Sequence, residues 1–299
     1  MSIFTLQSGI AQGLMWAILT IGVYLTFRVL DIADLTIEGT FPLGAAITVV
    51  LINGGMNPFL AMLIAVICGG CAGLVTGILH TKFKIPAILA GILTQIALYS
   101  VNIRIMSDKA TVALAKDSIK TIVTGLFPAG VSSNTISICV GLLVVFIIIE
   151  ILYYFFGTEV GCAIRATGSN QKMARALGIS TDTMINLCLA ISNALVALAG
   201  SLIAQFDYGS ALVNMGQGTI VIGLASVIIG EVIFIRKERN FGFKMAAVSV
   251  GAIIYRTIIA AALTLPWMKA TDLKLITAVI VAIALAIPAW KSQRRVKNA

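Results

Sequence analysis

Long apolar runs separated by short polar segments make up most of this chain. Several runs reach the roughly 20 residues that an α-helix needs to cross a bilayer. Because unpaired backbone groups are intolerable in lipid, such runs predict helices. We predict an all-α fold, a polytopic membrane helical bundle of about eight or nine transmembrane helices in one domain over residues 1–299. The predicted spans are Gln7–Phe27, Thr40–Ile52, Phe59–Leu79, Ile85–Ile103, Thr135–Phe156, Met184–Gln205, Gly218–Ile235, Phe243–Leu263 and Lys274–Trp290.

Composition supports a membrane protein and argues against an enzyme. The chain is 59% hydrophobic and 11% charged, whereas soluble domains carry about a quarter charged residues. There is no P-loop, H-E-x-x-H or G-x-S-x-G motif, and the five cysteines indicate neither a metal site nor a disulfide framework. The first 27 residues contain no Lys or Arg, so we expect no cleaved signal peptide.

The distribution of charge predicts the orientation in the membrane. A net charge of +9 would also suit a nucleic-acid-binding protein, but the cations here flank apolar spans. We place the C-terminus in the cytoplasm and count the nine spans backwards from it. Most of the 21 Lys and Arg then fall on the cytoplasmic side. The loop from Arg104 to Lys120 is the exception, with four cations outside. We predict a multi-pass plasma-membrane protein with its N-terminus outside and no nucleic-acid partner.

A polar island, residues 157–182, lies between two apolar runs. It predicts a short cytoplasmic helix from Asn170 to Leu177, which Ser169 or Asn170 caps and Gly178 ends in the left-handed conformation. A helix this short needs packing against something else. A solvated basic loop is the alternative, but the apolar stripe and the charges favour docking of a partner. The stripe is Met173, Ala174 and Leu177, and the charges are Arg165, Lys172 and Arg175.

Carboxylates lead directly into the second apolar run, at Asp31, Asp34 and Glu38. Charged groups so near the bilayer usually face a protein interior or an aqueous cavity. For Asp31 we favour a cytoplasmic loop, and for Glu38 both a capped helix start and a functional carboxylate stay open.

An internal echo supports a functional role for this segment. The residues from Glu38 to Gly44, EGTFPLG, align with those from Gln217 to Gly223, QGTIVIG, and in the predicted topology the two copies run in opposite directions. Inverted repeats of this kind bring broken helices together at the bilayer midplane around a transported substrate. A chance match is the alternative in a chain with 27 glycines.

Other polar residues lie within the predicted spans. Arg256 needs a compensating charge; we favour a structural ion pair with Asp207 over an anion-binding role. Four amide residues either line a path or hydrogen-bond between helices, the second being commoner: Gln95, Asn102, Asn193 and Gln205. Gly69, Gly73 and Gly77 form a flat helix face that favours internal packing over a dimer seam.

Three segments carry a resemblance to a known family. They are Asp34–Ala46 (DLTIEGTFPLGAA), Gly161–Gly168 (GCAIRATG) and Ala174–Thr181 (ARALGIST). The chain resembles the permease subunits of ATP-binding-cassette (ABC) importers, in the group that includes branched-chain amino-acid, ribose and nucleoside permeases. It is most similar to permeases encoded beside a lipoprotein binding protein, some of which are assigned to tryptophan or other aromatic amino acids. The carboxylates from Asp31 to Glu38 differ from the Asn-Phe-Ala-His pattern of the branched-chain permeases, which puts the substrate in doubt.

The resemblance implies a non-catalytic transport subunit that moves a small solute, expected to be an amino acid and of the aromatic class, into the cell. It implies a permease homodimer in membrane lipid, a cytoplasmic ABC ATPase dimer that holds the ATP and Mg, and an extracellular binding lipoprotein. The binding protein would dock on the Ser107–Ser133 loop, where Lys109, Lys116 and Lys120 lie. We expect no cofactor or metal on this chain itself.

The resemblance, the polar island and the polar residues within the spans together give two sets of candidate residues. The ATPase-coupling residues are Arg165, Asn170, Lys172, Met173, Ala174, Arg175, Leu177 and Gly178. The substrate-pathway residues are Asp34, Glu38, Gly39, Gln95, Gln217 and Arg256. The alternatives are import of a sugar or nucleoside, an ion-coupled secondary transporter with Asp34 and Glu38 as ion ligands, and a membrane receptor or scaffold.

Overall fold

The computed structural model describes residues 3–126, 132–234 and 240–264, together with residues 275, 278, 279 and 282. Seven helical segments of this part are long and apolar enough to cross a membrane, and the shorter apolar helix Ile37–Asn53 accompanies them. These eight correspond to the first eight predicted spans, so the polytopic helical bundle is confirmed. The ninth predicted span, Lys274–Trp290, lies outside the continuously described residues, as do the C-terminal cations.

Helices account for almost all of the regular structure. The helices are α1 (Ile3–Tyr24), α2 (Ile37–Asn53), α3 (Pro58–Thr81), α4 (Ala87–Ile105), α5 (Ile119–Leu126), α6 (Ser133–Gly157), α7 (Glu159–Ser169), α8 (Gln171–Ala176), α9 (Thr181–Ile203), α10 (Thr219–Phe234) and α11 (Phe241–Ala262). Two short strands, β1 (Thr111–Ala113) and β2 (Ser210–Leu212), pair antiparallel. The sequence reading missed α5, α7 and this strand pair.

Two long helices, α1 and α9, start equivalent halves of the bundle. Each ends in a five-residue π-helical turn, Leu25–Val29 after α1 and Ala204–Tyr208 after α9. A non-helical segment follows each turn and leads into α2 or α10, and then into α3 or α11. The two π-helical turns are 179 positions apart, the same separation as between Glu38 and Gln217 in the sequence echo. The echo is therefore part of a repeat of three helices.

The two halves run in opposite directions. Helix α2 is parallel to α9, because Thr40 and Thr48 hydrogen-bond to Asn193 and Ser201 in the same order. Helix α1 is antiparallel to α9 and parallel to α10, which it contacts near both ends of their shared length. Helix α10 is therefore antiparallel to α2. This is the predicted inverted relation.

Close helix contacts hold the two halves to each other. A Cβ atom on Gly69, Gly73 or Gly77 would overlap α9, Gly73 against the carbonyl oxygen of Leu189 and Gly77 against Asn186. The glycine face of α3 therefore packs inside the bundle, as predicted. In the equivalent contact, α1 of the first half packs against α11 of the second, with Gly13 next to Ile253. Small residues let the backbones approach without help from a hydrophobic effect, which lipid does not supply.

The polar segments gather at two ends of the bundle. At one end lie α7, α8 and the start of α9, where Asp182 pairs with Lys84 at 3.5 Å. At the other end lie the β1–β2 pair and α5. Of the three lysines predicted to meet a binding protein there, Lys109 and Lys116 are exposed. Lys120 instead donates to the carbonyl oxygen of Phe206 at 2.9 Å and so is engaged within the chain.

Candidate functional site

The first break in the bundle, between the π-helical turn after α1 and α2, is pinned by Asp34. This carboxylate is 2% exposed; it accepts a hydrogen bond from the backbone N–H of Thr36 at 2.9 Å and one from Asn193 Nδ2 at 2.7 Å. Asn193 lies about 18 Å along α9 from its first residue, at 1.5 Å per residue. The break therefore lies deep in the bundle, where irregular backbone is tolerated only inside protein or against a water-filled cavity.

The second break precedes α10 and is built from glycines and short turns. Gly209 and Gly218 have positive φ angles of 59° and 82°, which glycine adopts without strain. Between them lie β2 and a short 3-10 helix, Val213–Gly216. The chain can thus turn sharply before α10 begins.

Glu38 joins the two breaks. It lies in the first turn of α2, and its Oε1 accepts a hydrogen bond from the backbone N–H of Gly218 at 3.0 Å. Its Oε2 accepts one from Gln95 Nε2 on α4 at 3.1 Å. A negative charge is favourable at the N-terminus of α10, where backbone N–H groups are unpaired. The helix starts of the two echo segments therefore meet through this carboxylate.

A cavity of about 280 Å³ opens at this junction. It is lined by Glu38, Gly39, Pro42, Gln95, Ile96, Tyr99, Asn102, Val213, Asn214 and Gln217. Four of the six predicted pathway residues, Glu38, Gly39, Gln95 and Gln217, are thus brought together. The sequence did not lead us to Tyr99 or Asn214, and it left Asn102 open between the path and a hydrogen bond between helices. The helical spacing of Gln95, Tyr99 and Asn102 on one face of α4 was a usable signal.

Asp34 does not line this cavity. It is enclosed by hydrogen-bond donors from both halves, Thr36 N–H and Asn193 Nδ2, and the hydroxyl groups of Thr36 and Thr76 pair beside it at 2.7 Å. Asp34 thus lies in the packed interior beside the cavity, and its predicted place in the pathway stays a prediction. Two residues in the sequence separate Asp34 from the start of α2, so it fixes the entry to the helix that carries Glu38.

Arg256 also lies away from the cavity lining, and its predicted ion pair with Asp207 is absent from the ion pairs between described residues. The guanidinium carbon lies 3.6 Å from the centroid of the Trp16 ring, a cation–π contact. Asp207 instead accepts a hydrogen bond from Gln12 Nε2 at 2.9 Å. The opposite charges of Arg256 and Asp207 still attract each other over a longer distance, so the predicted pairing is present as a charge attraction and not as a direct contact.

The predicted coupling segment forms a short helix with the expected ends. Asn170 caps α8 by accepting a hydrogen bond from the backbone N–H of Met173 at 3.0 Å, and Gly178 has a φ angle of 82°. The apolar stripe is divided, however. Ala174 is fully buried, whereas Met173 is 48% and Leu177 70% exposed. The buried alanine attaches α8 to the bundle, and two apolar side chains face outwards.

The charges around α8 have different partners. Arg175 donates to Thr181 Oγ1 at 2.6 Å and to Asp182 Oδ1 at 3.0 Å, which ties α8 to the start of α9. Arg165 on α7 lies over the Phe241 ring at 5.8 Å, and Lys172 is exposed. All three predicted cations are therefore exposed, and Arg165 and Arg175 are also held by contacts within the chain.

Comparisons with known proteins agree with this architecture. The model of the family "Branched-chain amino acid transport system / permease component" matches residues 5–286. The tyrosine transport system permease protein of Clostridioides difficile is 42% identical over 93% of this chain and 90% of its own length. An uncharacterised protein of Rickettsia prowazekii is 32% identical over 94% of this chain and 96% of its own length.

More distant relatives and one solved structure extend the comparison. A fructose import permease protein of Bifidobacterium longum is 26% identical over 72% of this chain and 63% of its own length. The structure of PsaBC from Streptococcus pneumoniae in complex with Fab superposes with a TM-score of 0.52 over 94% of this chain and 89% of that one, at 12% identity, which shows a shared fold. This chain belongs to the family of branched-chain amino-acid transport system permease components and is the membrane permease of an ABC importer.

Proposed function

We propose that this permease carries an amino acid, of the aromatic class, into a bacterial cell along a path that passes the cavity at Glu38. The observation that carries the substrate class is the similarity, at 42% identity over 93% of the chain, to a permease named for tyrosine transport. In this proposal two copies form the pore. The N-terminus lies outside, α7 and α8 face the cytoplasm, and an external binding lipoprotein delivers the substrate.

A partner ATPase dimer, which holds the ATP and Mg, docks on α8 in this proposal. The exposed Leu177 and Met173 supply the apolar contact, and Lys172 supplies an adjacent charge. An apolar side chain that is 70% exposed beyond the membrane-spanning helices suits a surface that a partner covers.

A continuous set of contacts connects α8 with the cavity. Arg175 ties α8 to Asp182 at the start of α9, and Asn193 further along α9 holds Asp34. Asp34 in turn fixes the break that leads to Glu38. A movement of α8 with the ATPase would thus be passed to the wall of the cavity. These contacts are the structural basis of the proposed coupling between α8 and the cavity.

At the opposite end, the exposed Lys109 and Lys116 are the candidates for contact with the binding protein. They lie on either side of β1, which pairs with β2 ahead of the second break. Complementary charge would mainly increase the rate of docking. Lys120 is omitted because its ammonium group already binds Phe206.

The docking proposal is tested by replacing Leu177 with Asp. A charge placed in a desolvated contact should cost roughly 2–5 kcal/mol of association free energy. We expect normal membrane insertion but loss of ATPase copurification and of uptake. Ile122→Asp is the matched control, because Ile122 is also an exposed apolar residue, at the opposite end. Undiminished copurification of the Leu177→Asp protein would remove α8 as the docking element.

The substrate is tested on the binding protein and on uptake together. A thermal-shift screen of the neighbouring binding protein against amino acids, sugars and nucleosides should show stabilisation by aromatic amino acids. Cells that express the complete importer should then accumulate the same labelled compound. Stabilisation and uptake of a sugar or nucleoside alone would contradict the amino-acid assignment.

A further inference from the structure

Glu38 is a carboxylate with no cationic partner among the described residues. Its two oxygens accept hydrogen bonds from Gly218 N–H and Gln95 Nε2, both of which are neutral groups. No Lys, Arg or His is present among the residues that line the cavity. A charged group within the membrane is costly and is usually paired. The cavity therefore carries negative charge that the described protein does not neutralise.

Asn102 also lines this cavity and has an unpaired hydrogen-bond acceptor. Its side chain is fully buried, and Nδ2 donates to the carbonyl oxygen of Gly39 at 3.1 Å. Because a carbonyl can only accept, this bond fixes the orientation of the amide. The Oδ1 atom then has no hydrogen-bond partner among the residues that the structure describes. A buried acceptor left unpaired costs about 1–3 kcal/mol, a cost that a donor bound in the cavity would remove.

The rest of the lining is partly apolar. Pro42, Ile96 and Val213 contribute aliphatic surface, and Tyr99 contributes an aromatic ring. Asn214 and Gln217, at the second break, contribute side-chain amides, which can donate hydrogen bonds to a carboxylate. The acceptors and the apolar surface thus belong mainly to α2 and α4, and the amides to the segment before α10.

We propose that this cavity binds a protonated primary amine attached to an apolar group, with Glu38 and Asn102 Oδ1 accepting the ammonium protons. An ammonium group has three donors and no acceptor, so it matches a wall that offers acceptors and a negative charge. In an amino acid, the carboxylate would face the amides of Asn214 and Gln217. This inference rests on the proposed function only for the statement that the amine is the transported substrate. The binding of an amine in the cavity does not depend on that function.

The test uses the full-length permease in nanodiscs, without the binding protein, and a series of phenols observed by saturation-transfer NMR. Tyramine carries the amine, 3-(4-hydroxyphenyl)propionate carries only a carboxylate, and 4-ethylphenol carries neither. We expect tyramine and L-tyrosine to bind at least tenfold more tightly than the two compounds without an amine. Equal binding of all four compounds would overturn the inference. So would displacement of tyramine by sodium chloride but not by choline chloride at the same ionic strength.

Variants then assign the binding to these residues. Glu38→Gln keeps the shape of the side chain and should weaken tyramine binding at least tenfold, while 4-ethylphenol binding stays unchanged. Asn102→Leu should have a smaller effect in the same direction. Asp117→Asn, an exposed carboxylate in the loop before α5, is the matched control and should bind tyramine normally. Unaltered tyramine binding by Glu38→Gln would overturn the inference even if that variant loses transport.

The outcome is separable from that of the proposed function. If the permease copurifies with an ATPase and imports an aromatic amino acid but tyramine binds no better than 4-ethylphenol, only the amine site fails. If tyramine binds through Glu38 but neither the ATPase nor uptake is found, the proposed function fails and the amine site stands.

Discussion

The two breaks in the bundle occupy equivalent positions of an inverted repeat but are stabilised differently. The first is closed by side chains, since Asp34 is 2% exposed and holds Asn193 and the backbone of Thr36. At the equivalent position of the second break lies Val213, which has no polar side chain. That break depends on the left-handed Gly209 and Gly218 and on the β1–β2 pair.

The difference separates a fixed wall of the cavity from an adaptable one. The first break belongs to the hydrogen-bonded interior and positions Glu38. The second leaves Asn214 and Gln217 exposed, and its glycines place few steric limits on the backbone. We therefore expect the segment before α10 to move in the transport cycle, while the residues around Asp34 keep their contacts.

Removing the side-chain pin should produce the largest loss of stability. Asp34→Ala leaves the Thr36 N–H and the Asn193 amide without their buried acceptor, at a cost on the order of 3 kcal/mol. Val213→Ala, at the equivalent position of the other half, removes only two methyl groups and should cost about 1–2 kcal/mol. Thermal unfolding in detergent, followed by size-exclusion chromatography, compares them. Equal stability of the two variants would contradict the distinction between the breaks.

Substitution of the left-handed glycine should have an intermediate effect. At Gly218 an added Cβ meets nothing within 4 Å, so Gly218→Ala tests the backbone alone and should cost about 1–2 kcal/mol. Gly218→Asn should recover most of this loss, since Asn tolerates the left-handed region. The same unfolding measurement applies. If alanine is tolerated as well as asparagine, the positive φ angle does not hold this break.

The contact of the first π-helical turn with α10 should contribute least to the stability of the folded protein. Arg28 pairs with Glu231 through its Nε at 2.9 Å, but the arginine side chain is 52% exposed. A double-mutant cycle with Arg28→Gln and Glu231→Gln should give a coupling of about 0.5–1 kcal/mol. A coupling as large as the loss in Asp34→Ala would show that the two halves are held together here instead.

Much of the fold followed from sequence because its signals are local. Eight spans were readable from the length of apolar runs, and Asn170 and Gly178 marked the ends of α8. The match between the segments that begin at Glu38 and Gln217 also identified the repeat correctly, because the two copies keep their helix starts at equivalent positions. The short α5, α7 and the strand pair gave no comparable signal, since their stability comes from tertiary contacts.

The site was only partly predictable because its partners come from distant segments. Glu38 was assigned to the pathway because it is a charged residue in an apolar segment. Nothing in the local sequence indicated that its carboxylate would accept a hydrogen bond from the Gly218 N–H. Asp34 gave the same signal and proved to be enclosed by Asn193. Arg256 was expected to contact an opposite charge directly, whereas the ring of Trp16 makes the direct contact and Asp207 acts on it from a longer distance. A charge in a span predicts that compensation exists, and packing decides its chemistry.

The central claim is that the cavity between the two breaks lies on the transport path, and nucleotide-dependent labelling tests it most directly. In a permease with Cys68, Cys71, Cys139 and Cys162 replaced by serine, Gln217→Cys reports on the cavity and Ile67→Cys on a lipid-facing surface of α3. Assembled with its ATPase, the Gln217→Cys protein should react with a membrane-impermeant thiosulfonate at a rate that changes when a nonhydrolysable ATP analogue is added, since reaction requires water at the thiol. The Ile67→Cys protein should stay unreactive. The same slow rate at Gln217→Cys with and without nucleotide would contradict the account.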